Sequence, residues 1–338
     1  MRAVIIDAPG DVRVGTIPDP LPQPDELVIR VGACGICGTD LHILDGESPL
    51  ARYPVVPGHE FAGEVVAVGH NVAQSRDGIT VGMRVAVEPN MYCGRCEFCR
   101  TGHENLCLNY AALGVTTNGG IAEYVAVRAS QAYPLPDSML LREAALIEPV
   151  SCAVHGMHRL NPRSGDTFLI IGAGTMGLLL LQLALRGGAS RVVMVDTNRQ
   201  RLERAAQLGA TRTQTDIKRV LEDEPTGFHC VIDATGVASV IEAALAAVKR
   251  GGKFMAFGVA PHAARITLSP FRIYNDEITI VGSMAVLFSF QAALDLLSGG
   301  VIDTEAMLTT ALPLEDFSFA LAMMRRGEGV KTQIVPNG

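Results

Sequence analysis

The chain has 338 residues, of which 48% are hydrophobic and 19% charged. A chain that apolar buries a large core, which excludes general disorder, and its length suggests two domains. With 28 Lys and Arg against 35 Asp and Glu, the net charge is −7. The sequence has no polybasic arm, so neither nucleic acid nor an anionic membrane is expected as a partner.

The first seven residues reach Asp7 before any apolar stretch of leader length. Two uncharged runs, 168–185 and 278–294, are the candidates for a membrane span. The first is broken by glycines and the second is marginal in length, so neither is expected to span and a cytoplasmic protein is expected. The eight cysteines are partly clustered. In a cytosolic chain this points to metal or redox chemistry before disulfides.

In chain order, the first third reads as short strands and turns. Strands are expected at 27–31, 63–69 and 82–87, an extended proline-rich connector at 17–25 and a polar loop at 74–80. This is the pattern of a small β-barrel with long loops. Near residue 150 the pattern changes. Strands at 167–171, 191–196, 230–233, 253–259 and 277–283 follow, with helices at 176–187, 199–208 and 239–249 between them. That alternation predicts a doubly wound parallel sheet, an α/β Rossmann architecture. Helices at 290–298 and 314–326 and a strand at 331–335 follow, and this tail is expected to rejoin the first domain. The boundaries expected are 1–152 plus 288–338 for the first domain and 153–287 for the second.

Gly172, Ala173, Gly174, Thr175, Met176 and Gly177 fit G-x-G-x-x-G between an apolar strand and an apolar helix. Gly172 permits the turn, Gly174 admits a pyrophosphate and Gly177 lets helix and strand pack closely. The helix N-terminus offers N–H groups to phosphate. Asp196, 19 residues after Gly177, is placed to bind ribose hydroxyls and repel a 2′-phosphate. That favours NAD over NADP, although Arg199 and Arg201 stand nearby. The alternative is a glycine turn without a nucleotide.

Cys93, Cys96, Cys99 and Cys107 lie within fifteen residues. Four thiolates at that spacing suit a closed tetrahedral zinc, structural because no position stays open. An iron–sulfur cluster uses the same four donors. A second, dispersed set is Cys37, His59 with Glu60, and Glu148, whose mixed donors suit a catalytic zinc. Spacing alone does not bring them together. Cys34 and Cys37 also read as a redox C-x-x-C, but without a thioredoxin-like βαβ context.

These pieces together resemble the zinc-dependent medium-chain dehydrogenases, the alcohol, polyol and threonine dehydrogenase superfamily. The resemblance is carried by residues 35–42 (GICGTDLH), 57–63 (PGHEFAG), the cysteine loop, Glu148 with Pro149, and the glycine fingerprint with Asp196. It implies a GroES-like β-barrel catalytic domain beside a Rossmann domain, two zinc ions per chain, NAD, and a homodimer or homotetramer. It implies Cys37, His59 and Glu148 as catalytic zinc ligands, with Glu60 a further ligand or exchanging with water. Thr39 and His42 look like the proton relay. Val259 and Ser283, at later strand ends, would lie near the nicotinamide. Cys34, Cys152 and Cys230 would be packed thiols and His155 a packed helix histidine.

The implied reaction is oxidation of a secondary hydroxyl to a ketone by hydride transfer. The expected substrate is a small polyol, sugar alcohol or sugar acid. Sorbitol-type members often carry Arg-Tyr where this chain has Ala285 and Val286, and neither of those bonds a polyol through its side chain. Threonine-type members usually have Asp-Pro where this chain has Glu148-Pro149. An L-threonine 3-dehydrogenase or a simple secondary-alcohol dehydrogenase is the alternative. The rival classes are a zinc-free reductase, a nucleic-acid-binding zinc ribbon and a dead enzyme. The first and third predict lost ligands, and the second predicts a basic loop. The ligands are all present, and Arg95 and Arg100 are balanced by Glu97 and Glu104.

Overall fold

A computed structural model describes residues 1–74 and 78–337. Residues 75–77 of the expected polar loop lie outside the described residues. The chain divides into two compact units. One is Met1–Ser151 with Val286–Gly299 and Leu308–Gly338, and the other is Cys152–Ala285 with Gly300–Met307.

The first unit is built on a seven-stranded sheet. Its order is Leu308–Leu312, Lys331–Ile334, Glu26–Gly35, Glu60–Val68, Arg84–Val87 and Ala132–Pro134, with Tyr124–Arg128 also paired to Glu26–Gly35. Only the first pair is parallel. Alternating apolar positions of these strands (Leu27, Ile29, Val31, Val65, Val85, Val125, Val127) enter one buried core, which Phe317, Ala320 and Leu321 of the helix Phe317–Arg325 also join. A hairpin of Arg2–Ala8 and Asp11–Thr16, not expected from the sequence, packs Ile6 into a smaller cluster with Ile43 and Val55.

The second unit is a six-stranded, wholly parallel sheet. Its order is Arg212–Gln214, Arg191–Val195, Thr167–Ile171, Phe228–Asp233, Val248–Ala256 and Thr279–Gly282. In sequence order this is 3-2-1-4-5-6, the doubly wound arrangement. Thr167–Ile171 is at the centre and reads as a continuous apolar run because both of its faces are covered.

Several boundaries differ from expectation. The helix expected to reach 249 ends at Ala246, and Lys249 belongs to the next strand, Val248–Ala256. The strand expected at 277–283 is only Thr279–Gly282, because Pro270–Asp276 forms a helix with Glu277 as its left-handed cap (φ 49°). The expected 314–326 helix begins as a 3-10 turn over Leu314–Asp316. Among the described residues no helix is long and apolar enough to cross a membrane.

Candidate active site and metal centres

The cysteine loop closes on itself. Cys96 Sγ stands 3.5 Å from Cys99 Sγ and 3.9 Å from Cys107 Sγ, and Cys93 Sγ is 4.0 Å from Cys99 Sγ. Four sulfurs about 2.3 Å from a tetrahedral ion stand about 3.8 Å apart, so the loop is already shaped for zinc. Backbone N–H groups point at the sulfurs. Cys107 Sγ accepts from Cys93 and Asn109, each at 3.3 Å, and Cys93 Sγ accepts from Cys96 at 3.4 Å. The N–H groups of Arg95 and Cys96 hold the Cys93 thiol down at about 6, which favours the thiolate a metal needs.

The second centre is assembled from separate elements. Cys37 sits at the turn between the strand Glu26–Gly35 and the helix Gly38–Leu44. His59 precedes the strand Glu60–Val68, and the antiparallel pairing of Gly35 with Glu60 brings the two chain segments side by side. One donor atom each from Cys37, His59 and Glu60 lies within 4.8 Å of the other two. Asp40, fully buried, ties the two loops together. Its carboxylate accepts the Cys37 N–H at 2.8 Å and the Gly58 N–H at 3.3 Å.

His59 Nδ1 is buried and has no hydrogen-bond partner. A buried nitrogen without a partner is costly unless something absent from the protein satisfies it. Burial alone would pull the imidazole down. A hydrogen bond with Cys37 and the charges of Cys37, Asp40 and Glu148 outweigh it and hold His59 well above its ordinary value. The pocket favours positive charge. The donor set, the orphan nitrogen and this field all fit a zinc ion.

Glu148 opens the helix Ile147–Leu160 and is buried. It stands outside the group that shares the 4.8 Å spacing. Its charge nevertheless acts on both His59 and Lys331. Lys331 was not singled out in the sequence, since a lysine opening a strand carries no motif. Here it is 3% exposed and donates to both oxygens of Glu60, which is 1% exposed. Thr39 Oγ1 lies 3.8 Å from Cys37 Sγ, and His42 Nδ1 lies 2.9 Å from Glu47 Oε2. Cys34 and Cys230 are fully packed as expected, whereas Cys152 is only half-buried. His155 is a buried helix residue whose pKa is lowered by burial and by Arg159 and His158.

In the second unit the glycine fingerprint forms the expected strand-turn-helix. Gly172 has φ 99°, and a Cβ on Gly177 would stand 1.7 Å from the Gly172 carbonyl oxygen. Gly174 caps the helix Thr175–Arg186, and no side chain fills the cap. Asp196 reaches back to this loop. Its carboxylate accepts Ala173 N–H at 2.6 Å and Asn198 N–H at 2.8 Å. Asn198 caps the helix Arg199–Gln207, which directs Arg201 over the loop. The Arg201 Nη1 is 3.7 Å from where a Gly174 Cβ would be, and its buried Nε has no partner. Val259 and Ser283 follow the carboxyl ends of Val248–Ala256 and Thr279–Gly282, with Val259 73% exposed. Carboxyl ends of strands are where open α/β sheets bind ligands.

Two family models match this chain, an alcohol dehydrogenase GroES-like domain over residues 23–137 and a zinc-binding dehydrogenase over 175–299. D-arabinitol dehydrogenase 1 of Uromyces fabae is 38% identical over 346 residues, covering 100% of this chain and 97% of that protein. The chain belongs to the zinc-binding alcohol dehydrogenase family. A sorbitol dehydrogenase of Bacillus subtilis is 34% identical over 100% of this chain and 98% of its own length. A zinc-binding dehydrogenase of Sinorhizobium meliloti, solved with NADP bound, superposes with a TM-score of 0.93 at 35% identity and 99% coverage of both chains. As a member of this family the protein is a dehydrogenase of the α/β class with GroES-like and Rossmann parts, as the motifs imply.

Proposed function

We propose that this protein is a zinc-dependent, NAD-linked polyol dehydrogenase that oxidises a secondary hydroxyl of a small sugar alcohol or sugar acid to a ketone. The single observation that carries this reading is the cluster of half-buried Cys37 with buried His59 and Glu60, and its partnerless imidazole nitrogen. The full-length likeness to a protein named for D-arabinitol and another named for sorbitol supports the substrate class.

In this reading Cys37 and His59 hold the catalytic zinc, with Glu60 and Glu148 as the carboxylates beside it, and Cys93, Cys96, Cys99 and Cys107 hold the structural one. Zinc, when bound, supplies Lewis-acid activation of a hydroxyl, and a nicotinamide dinucleotide supplies the hydride acceptor. The protein's own groups handle position and proton. Thr39, beside Cys37, accepts the proton of the substrate hydroxyl as it gives up its own toward His42, which passes it outward. Glu47, hydrogen-bonded to the His42 ring, fixes its orientation. Asp40 keeps the two ligand loops in register.

Gly172, Gly174, Thr175, Met176 and Gly177 cradle the pyrophosphate, with Arg201 above them. Val259 and Ser283 border the nicotinamide. Asp196 is the specificity residue, since its carboxylate would meet a 2′-phosphate with like charge. The GroES-like unit then serves as the catalytic domain and the Rossmann unit as the nucleotide domain. The protein works in the cytoplasm as a homodimer or homotetramer. The exposed edge strand Thr279–Gly282, where Ile280 is 43% exposed, supports that assembly.

The test is reduction of NAD⁺ and NADP⁺ by the zinc-loaded protein with tetritols, pentitols, hexitols, aldonates, threonine and simple secondary alcohols. Turnover with pentitols or other alditols, and preference for NAD⁺, are the expected results. Asp196→Ala is expected to narrow that preference about tenfold or more, the worth of a charged hydrogen bond. Turnover with threonine alone would replace the substrate reading, and NADP⁺ preference in the parent would remove the role given to Asp196.

A further inference from the structure

Lys331 is buried beside this centre, and the reaction above leaves it unused. It enters on the strand Lys331–Ile334, which pairs with the end of Glu26–Gly35 just before the Cys37 turn. Its ammonium donates to Glu60 Oε1 at 2.8 Å, to Glu60 Oε2 at 2.6 Å and to the Ile36 carbonyl at 3.0 Å. Those three bonds use all three of its hydrogens. Gly35 makes the room, because a Cβ there would stand 2.1 Å from Glu60 Oε2. The same carboxylate has an oxygen within 4.8 Å of the Cys37 and His59 donors. Glu60 is therefore within reach of two cations, the ammonium and a metal held by Cys37 and His59. Charge-assisted bonds from the ammonium draw on the lone pairs that a metal would use.

We propose that Lys331 is a positioning residue that competes with the metal for the Glu60 carboxylate and so keeps a coordination position open to the substrate hydroxyl. The inference rests on the reading of Cys37 and His59 as metal ligands. A lysine that acted only as a packing or folding element would leave the metal's ligand set unchanged when replaced.

The test compares full-length variants loaded with Zn²⁺ and, for spectroscopy, Co²⁺. Lys331→Met is expected to tighten zinc at this centre about tenfold or more in chelator competition, the range in which metal sites respond to outer partners. Its Co²⁺ d–d bands should move toward higher coordination, and kcat should fall. In a Glu60→Gln background the same lysine change should alter zinc affinity by less than about twofold. Equal tightening in both backgrounds would make Lys331 a distant field charge and overturn the proposal. An unchanged affinity and spectrum in Lys331→Met would overturn it as well. Should Lys331→Met not fold, because it strands a buried carboxylate, Lys331→Gln, which offers Glu60 an uncharged donor, decides. Tighter zinc and Co²⁺ bands shifted toward higher coordination support the proposal, and unchanged affinity and bands overturn it. If the parent protein binds no metal beyond the four-cysteine ion, the reading of the centre fails and the inference fails with it.

Discussion

The two candidate metal centres of the first unit are built on opposite principles. The cysteine loop takes all four donors from fifteen consecutive residues, and backbone N–H groups of the same loop polarise its sulfurs. The Cys37 centre takes its donors from separate elements, buries His59 and Glu60, and relies on Asp40 and Lys331 to hold them. A local site is complete once its loop folds around the ion, so it suits structure. A dispersed site exists only when the sheet is formed. It leaves one nitrogen and a field unsatisfied, so it suits a metal that exchanges ligands during turnover.

Four substitutions press on that contrast. His59→Ala should remove the metal of the dispersed centre alone. We expect zinc to fall from about two ions per chain to about one, and kcat/KM to fall by about 10³-fold, the several kcal/mol that metal activation supplies. Elemental analysis and steady-state kinetics read both, and unchanged turnover would break the contrast at once. Cys99→Ser should do the reverse. It should open the loop and cost about 2 kcal/mol of stability, about 4–8 °C in Tm, while kcat/KM of the folded enzyme changes little. A loss of turnover matching His59→Ala would mean that the two centres are not independent. Asp40→Asn should sharpen the account of assembly. It leaves one backbone N–H of the ligand loops without its acceptor, a cost of about 1–3 kcal/mol, and loosens only the metal of the dispersed centre. Denaturant unfolding and chelator competition measure the two parts. Cys34→Ala should have the smallest effect, since this buried thiol lies outside both centres. Zinc content should stay at about two per chain and kcat within about twofold. A lost ion would make Cys34 a metal ligand and undo its assignment as a packed thiol.

The same contrast explains what could be read from the sequence. Local chemistry was legible. The four cysteines, the strand-turn-helix around Gly172–Gly177 and Asp196 at the next strand end all fall where spacing put them. Dispersed chemistry was legible only through family likeness. Nothing in spacing joins Cys37 to His59 until Gly35 pairs with Glu60, and nothing joins Glu60 to Lys331, 271 residues apart. Asp40 lies inside a quoted motif, yet its role needed the two backbone N–H groups that converge on it. Some boundaries failed for simpler reasons. The helix Pro270–Asp276 had a readable start, Ser269 as N-cap followed by proline, but its single apolar turns lack a periodic face. Lys249 looked helical by composition, and pairing of Val248 with Phe228 put it in a strand.

In the proposed mechanism the dehydrogenase reaction depends on a metal held at Cys37 and His59. The most direct measurement is chelator dialysis of the parent protein under conditions that leave the four-cysteine ion in place, followed by assay with NAD⁺ and a pentitol. Turnover is expected to disappear with the loss of one zinc per chain and to return when one zinc per chain is restored. Full turnover by protein lacking that ion would contradict that mechanism.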